Sequence, residues 1–206
     1  QTQGVFSFLS DEAEDAADTG KWILEQPFCD GNIGLIGISY LGGSSVGMAS
    51  AHPQNVKAAV WVAPVLGSQS LFHTGGALRL HHNLPWTLLG HPKFRELDWQ
   101  ILYSHLPLKD ALRSVGVESE MWDAICSFAT GASTATDLAG LYHSLKVPGL
   151  YFGGFWDFML DASLSSWEEA GQTGGAHAMF LGPWTHNGMA SEINRNEYMD
   201  YGQEAS

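Results

Sequence analysis

The sequence is poor in cysteine and in positive charge, and it has no long apolar run. Its two cysteines, Cys29 and Cys126, lie far apart and in no metal-type spacing, so neither a disulfide framework nor a zinc site is indicated. Both read as buried thiols. Lysine and arginine number 9 against 22 aspartates and glutamates, a formal charge of -13. Such a surface repels phosphate backbones and anionic lipid, so nucleic acid and membrane are poor partners, although solubility is the plainer reading of the charge. No apolar stretch reaches the length of a bilayer crossing, and the N-terminus lacks the basic start and apolar stretch of a signal peptide. The compartment stays open, with the cytoplasm favoured. What the chain does have is 45% hydrophobic residues over 206 positions, enough for one sizeable core in a soluble globular domain.

Along the chain, Asp11 to Gln26 reads as an amphipathic helix that Ser10 can cap, with Asp11, Glu12 and Glu14 near its positive end and Ala13, Ala17, Trp22 and Ile23 as its apolar positions. Pro27 and the pair Asp30-Gly31 break it. Asn32 to Ile38 is a short apolar run and Ser44 to Ala51 is rich in small residues, which predicts strand, sharp turn, helix. Lys57 to Val62 reads as the next buried strand, and Val147 to Phe152 and Ala178 to Leu181 as two more. Strands alternating with helical segments predict an α/β fold, a parallel sheet flanked by helices whose ligands bind outside the carboxyl ends of the strands.

Residues 67–142 change character, with Trp86 among His73, His81, His82 and His91, then helical patterns at Leu97 to Val115 and Met121 to Ala129 and few strand signals. They read as a helical cap inserted into a core made of residues 1–66 and 143–206. Thr130 to Gly140, small and polar, reads as a loop, and no repeat or low-complexity tract is present.

Three strand ends carry polar residues of one chemistry. Gly37-Ile38-Ser39-Tyr40-Leu41-Gly42 lies between a strand and a helix, where a strained turn can thrust a serine outward as a nucleophile. The generic pattern wants glycine two residues after the serine, but Leu41 stands there, and a glycine-rich strand end without catalysis is the competing reading. A serine hydroxyl needs a base, and the base needs a partner that fixes its tautomer. His186, past the strand end at Gly182-Pro183, and Asp157, past the one at Gly153-Gly154, supply such groups in the chain order Ser, Asp, His. Taken singly, Asp157 reads also as a helix N-cap, a role compatible with partnering the base, and His186 reads more readily as a loop histidine held by a backbone carbonyl.

The surrounding residues make a resemblance specific. Gln26 to Gly34 running into Gly37-Ile38-Ser39-Tyr40-Leu41-Gly42 resembles the nucleophile region of the X-Pro dipeptidyl-peptidase and cocaine-esterase (CocE/NonD) family of α/β-hydrolases. Gly153-Gly154-Phe155-Trp156-Asp157 and Gly182-Pro183-Trp184-Thr185-His186 are similar to its acid and base segments, and Phe72 to Leu80 with His105 to Leu108 to its helical cap. The family pattern Gly-x-Ser-Tyr-x-Gly accounts for Gly42 one place late. The resemblance implies a partial α/β-hydrolase fold and a serine hydrolase in which Ser39 attacks an ester or amide, His186 moves the proton, Asp157 orients the imidazole and the backbone N–H of Tyr40 serves as one oxyanion donor. It also implies a fragment: about four upstream strands, the tyrosine of the second oxyanion donor and a following β-sandwich domain are not in these residues, so the chain alone is expected to be weak or inactive.

Phe155, Trp156 and Trp184 flank the triad positions and are the aromatic candidates for a substrate pocket, while Trp86 and Trp122 read as core. Met159 joins the pocket by resemblance to the cocaine-esterase branch. The run Phe158-Met159-Leu160 is apolar where relatives acting on α-amino acid esters carry acidic residues, which favours an uncharged, apolar acyl group; Asp161 remains an alternative amine anchor or a first-turn helix carboxylate. The four histidines share no ligand spacing with a carboxylate or cysteine, so no metal and no cofactor are assigned. The expected partner is a small ester or amide or a short peptide. A dipeptidyl-peptidase, an α-amino acid ester hydrolase or β-lactam acylase, and a non-catalytic module of the same fold are the competing functions, and a homo-oligomer stays open.

Overall fold

In the computed structural model the described residues are 11–64, 71–74, 76–128, 141, 145–191, 200 and 202. Ser10 and the loop expected at Thr130 to Gly140 lie outside them. They fall into two compact units, one within the spans Gln1–Leu71 and Thr136–Ser206 and the other within Phe72–Ala135. The cap boundaries expected beside residues 67 and 142 lie outside the described residues.

The first unit is a sheet of four parallel strands: β1 (Ile33–Ile38), β2 (Val56–Val62), β5 (Gly149–Gly154) and β6 (His177–Gly182), side by side in that order. Ile38 pairs with Val62, Val62 with Phe152, and Gly154 with Gly182, so the strands finish close to one another at a single rim. Helix α1 (Glu12–Leu24) packs on α2 (Tyr40–Ala51), which lies on β1 and β2. Glu12, Glu14 and Asp15 in the first turn of α1 and Lys21 in its last complement the helix dipole. Helix α7 (Leu160–Gly171) lies on β5 and β6.

Trp61 of β2 and Tyr151 of β5 are completely buried, with ring centroids 4.9 Å apart. Burial of large apolar side chains of this kind contributes roughly 1.5–3 kcal/mol each. The Trp61 indole N–H donates to Ser45 Oγ at 2.9 Å, which ties this core to α2 a turn beyond the end of β1.

The second unit is mainly helical, with α3 (Leu80–Thr87), α4 (Trp99–Ser104), a 3₁₀ turn (Leu108–Asp110), α5 (Ala111–Ser114) and α6 (Glu120–Phe128). Its core gathers Leu84, Leu88, Leu102, Leu112, Val117 and Trp122. Asp98 caps α4 by accepting hydrogen bonds from the N–H groups of Gln100 and Ile101. The structure refines the expected helical pattern here. Leu97 to Val115 forms three short helical pieces, since Pro107 lacks the N–H a continuing helix requires. The second unit also contains a two-stranded antiparallel ladder, β3 (His73–Thr74) with β4 (Ala77–Leu78), that its apolar pattern does not reveal.

Cys29 and Cys126 are free thiols, half-buried rather than fully enclosed. Burial, and after it the nearby Asp123 carboxylate, push the Cys126 thiol up to about 11, which keeps it protonated at neutral pH. Among the described residues no helix is long and apolar enough to cross a membrane, and no three His, Cys, Asp or Glu side chains gather as a metal site.

Candidate active site

Parallel strands in register deliver their C-terminal connections to one place, and the connections after β1, β5 and β6 meet there. Ser39 follows β1 directly and opens α2, with φ 56° and ψ -124°, a left-handed conformation that side chains avoid. Its backbone N–H donates to the Val62 carbonyl at 2.8 Å, and its own carbonyl accepts from Gly42 N–H at 3.0 Å, so the turn is held on both sides. Gly37 is required for the turn to close: a Cβ there would stand 2.6 Å from the Leu41 carbonyl oxygen and 2.7 Å from Gly42 Cα. The strain continues next door, where Ala63 after β2 also has a positive φ, 45°. Sequence reasoning did not find Ala63, and alanine at such a position carries no turn signal.

Asp157 follows β5 through a connection pinned at several points. Phe155 N–H donates to the Gly182 carbonyl at 2.9 Å, Trp156 N–H to the Trp184 carbonyl at 3.1 Å and Asp157 N–H to the Gly154 carbonyl at 3.0 Å. Gly154 permits this approach, since a Cβ would come 2.1 Å from the Trp184 carbonyl oxygen. The Asp157 side chain has no solvent exposure. A carboxylate removed from water needs partners, and this one accepts from Met159 N–H at 2.8 Å and from His186 Nδ1 at 3.0 Å to each of its oxygens. The N-cap reading of Asp157 thus gives way to a turn bond: α7 begins at Leu160, and the carboxylate holds the backbone that leads into it.

His186 lies past β6, and its Nε2 stands 2.9 Å from Ser39 Oγ. An ionised carboxylate only accepts, so Nδ1 carries the proton toward Asp157 and Nε2 presents its lone pair to the serine hydroxyl. The imidazole is about one-fifth exposed. A hydroxyl, an imidazole and a buried carboxylate in line are an arrangement that can take a proton from the hydroxyl as it attacks a carbonyl, and stabilise the imidazolium that results.

The other expected residues are placed as follows. Tyr40 is the first residue of α2, at the end of the helix where backbone N–H groups point outward. Met159 is buried, and its Sδ lies 4.0 Å from Ser39 Oγ. Phe155 and Trp156 are exposed beside Asp157. The Trp184 indole lies over Gly182 and 6.4 Å from the Phe152 ring, packed on the sheet. Asp161 is exposed in the first turn of α7. Phe158, read from the sequence only as part of an apolar run, sets its ring 4.6 Å from the His186 ring.

Comparison with known proteins gives concordant matches. A family model described as X-Pro dipeptidyl-peptidase (S15 family) matches residues 1–188. The cocaine esterase of Rhodococcus sp. (strain MB1 Bresler) is 39% identical over 93 residues, which are 43% of this chain and 16% of the esterase. A CocE/NonD family hydrolase from Staphylococcus aureus superposes with a TM-score of 0.64 at 20% identity, over 88% of this chain and 30% of that one. An α-amino acid ester hydrolase superposes with a TM-score of 0.66 at 21% identity, over 89% and 33%. The chain therefore spans well under two thirds of these relatives. At such identities the solved structures show the fold, which is part of an α/β-hydrolase.

Proposed function

This chain belongs to the X-Pro dipeptidyl-peptidase (S15) family, and from that premise we propose that it carries the catalytic centre of a serine hydrolase acting on esters or peptides. The observation that supports this most is the unbroken run of contacts from Ser39 Oγ through the His186 imidazole to the buried Asp157 carboxylate. Ser39 Oγ adds to the substrate carbonyl while His186 Nε2 takes its proton; the imidazolium returns that proton to the leaving group, leaving a seryl ester. Water, activated by the same imidazole, then releases the acid and restores the serine. The Tyr40 N–H, at the positive end of α2, is the donor proposed for the oxyanion.

The acyl group proposed is apolar and uncharged. Met159, buried at 2% exposure and touching the nucleophile, is its nearest wall. Phe155 and Trp156 offer apolar surface farther out, and Trp184 backs the site from the sheet. The helical unit within Phe72–Ala135 is proposed as the cap.

The test uses the native protein that carries these residues. Turnover of p-nitrophenyl acetate is expected to exceed that of Gly-Pro-p-nitroanilide, and Ser39→Ala is expected to abolish both. Hydrolysis that survives S39A would overturn the assignment of the centre; a preference for the dipeptide anilide would overturn the uncharged acyl group alone.

A further inference from the structure

Phe158 lies half-buried between Asp157 and Met159, and its ring centroid is 4.6 Å from that of His186 with 45° between the planes. The bonds to Asp157 and toward Ser39 leave from opposite sides of the imidazole, at Nδ1 and Nε2. Two contacts placed that way set the direction of the line between the nitrogens, but they do not stop the ring from rocking about it. An aromatic ring packed this close to the imidazole does. Its electron-rich face also attracts a cation within about 6 Å, and His186 becomes cationic when it takes the serine proton. The contact is then stronger in the transition state than with the neutral imidazole at rest, which is the condition for accelerating the chemical step.

We propose that Phe158 is a positioning residue for His186, fixing the tilt of the imidazole and favouring the imidazolium through its ring face. This rests on the triad reading above. Among the described residues, the charged and titratable groups facing the imidazole are the Asp157 carboxylate before α7 and the Ser39 hydroxyl at the start of α2; Asp161, in the first turn of α7, is the next carboxylate along the chain and is exposed. None of them changes when Phe158 is replaced, so a changed pH profile reports on the ring.

The experiment compares Phe158→Leu and Phe158→Tyr with wild type in the native protein, over a pH series, with p-nitrophenyl acetate and p-nitrophenyl butyrate. F158L is expected to lower kcat/KM by about two- to fivefold for both esters and to move the acidic limb of the profile down by about half a pH unit. F158Y is expected to restore rate and limb together. A limb unmoved in F158L, or a loss confined to one acyl length, would overturn the proposal and leave Phe158 as packing or pocket wall. A wild-type NMR spectrum provides a check independent of folding of the variants: the His186 ring protons are expected upfield of ordinary histidines through the Phe158 ring current, and ordinary positions would also overturn it. Failure of the triad reading looks different, since wild type would then show no Ser39-dependent hydrolysis at all.

Discussion

Ser39 sits in a backbone conformation that costs on the order of 1–3 kcal/mol, and the residues around it explain how that is sustained: bonds to Val62 and Gly42 on either side, and a glycine at 37 where any side chain would collide. The glycine and the serine are both legible in the sequence. Asp157 is legible by its position after a strand, but its full burial is not, because burial depends on residues brought from β6. A consequence follows for Asp157→Asn. The amide keeps the shape and can still accept from Met159 N–H, yet it can donate to Nδ1 and so stabilise the tautomer whose proton faces Ser39. Hydrolysis is expected to fall by about 10⁴-fold with little change in the unfolding midpoint, as read by ester turnover beside denaturant melts. A loss below tenfold would show that the carboxylate does not set the tautomer. The Phe158 contact with His186 and the strain at Ala63 are not legible in the sequence for different reasons: a phenylalanine in an apolar run announces only apolar surface, and an alanine with positive φ announces nothing.

Element signals in the sequence are clear where one period dominates. All four strands of the parallel sheet appear within about two residues of their expected ends, and the helices on either side of them follow. Residues 80–128 carry weaker signals, since their helices are short, proline-interrupted and held by packing rather than by their own repeat. Leu102 illustrates this: α4 is six residues long, too short to persist in water unaided, and its one fully buried side chain fixes it to Leu84, Leu112 and Trp122. Leu102→Ala is expected to destabilise this unit by about 2–5 kcal/mol. Hydrogen exchange should then quicken across residues 80–128 while β1, β2 and β5 keep their protection. Equal loss of protection in the sheet would contradict the two separate cores.

Across the whole molecule, the decisive arrangement is a consequence of parallelism. Residues 39, 157 and 186 are distant in the chain, yet β1, β5 and β6 run the same way in one sheet, so their exits share a rim. The order Ser, Asp, His and the glycine-rich strand ends made that meeting foreseeable; the contact distances and the aromatic ring behind the imidazole required coordinates. The most direct test is covalent: the native protein treated with a fluorophosphonate and digested for mass spectrometry should carry the adduct on the peptide containing Ser39. The label should vanish in S39A and fall sharply in His186→Ala. An adduct on another serine, or undiminished labelling once either residue is replaced, would contradict the account.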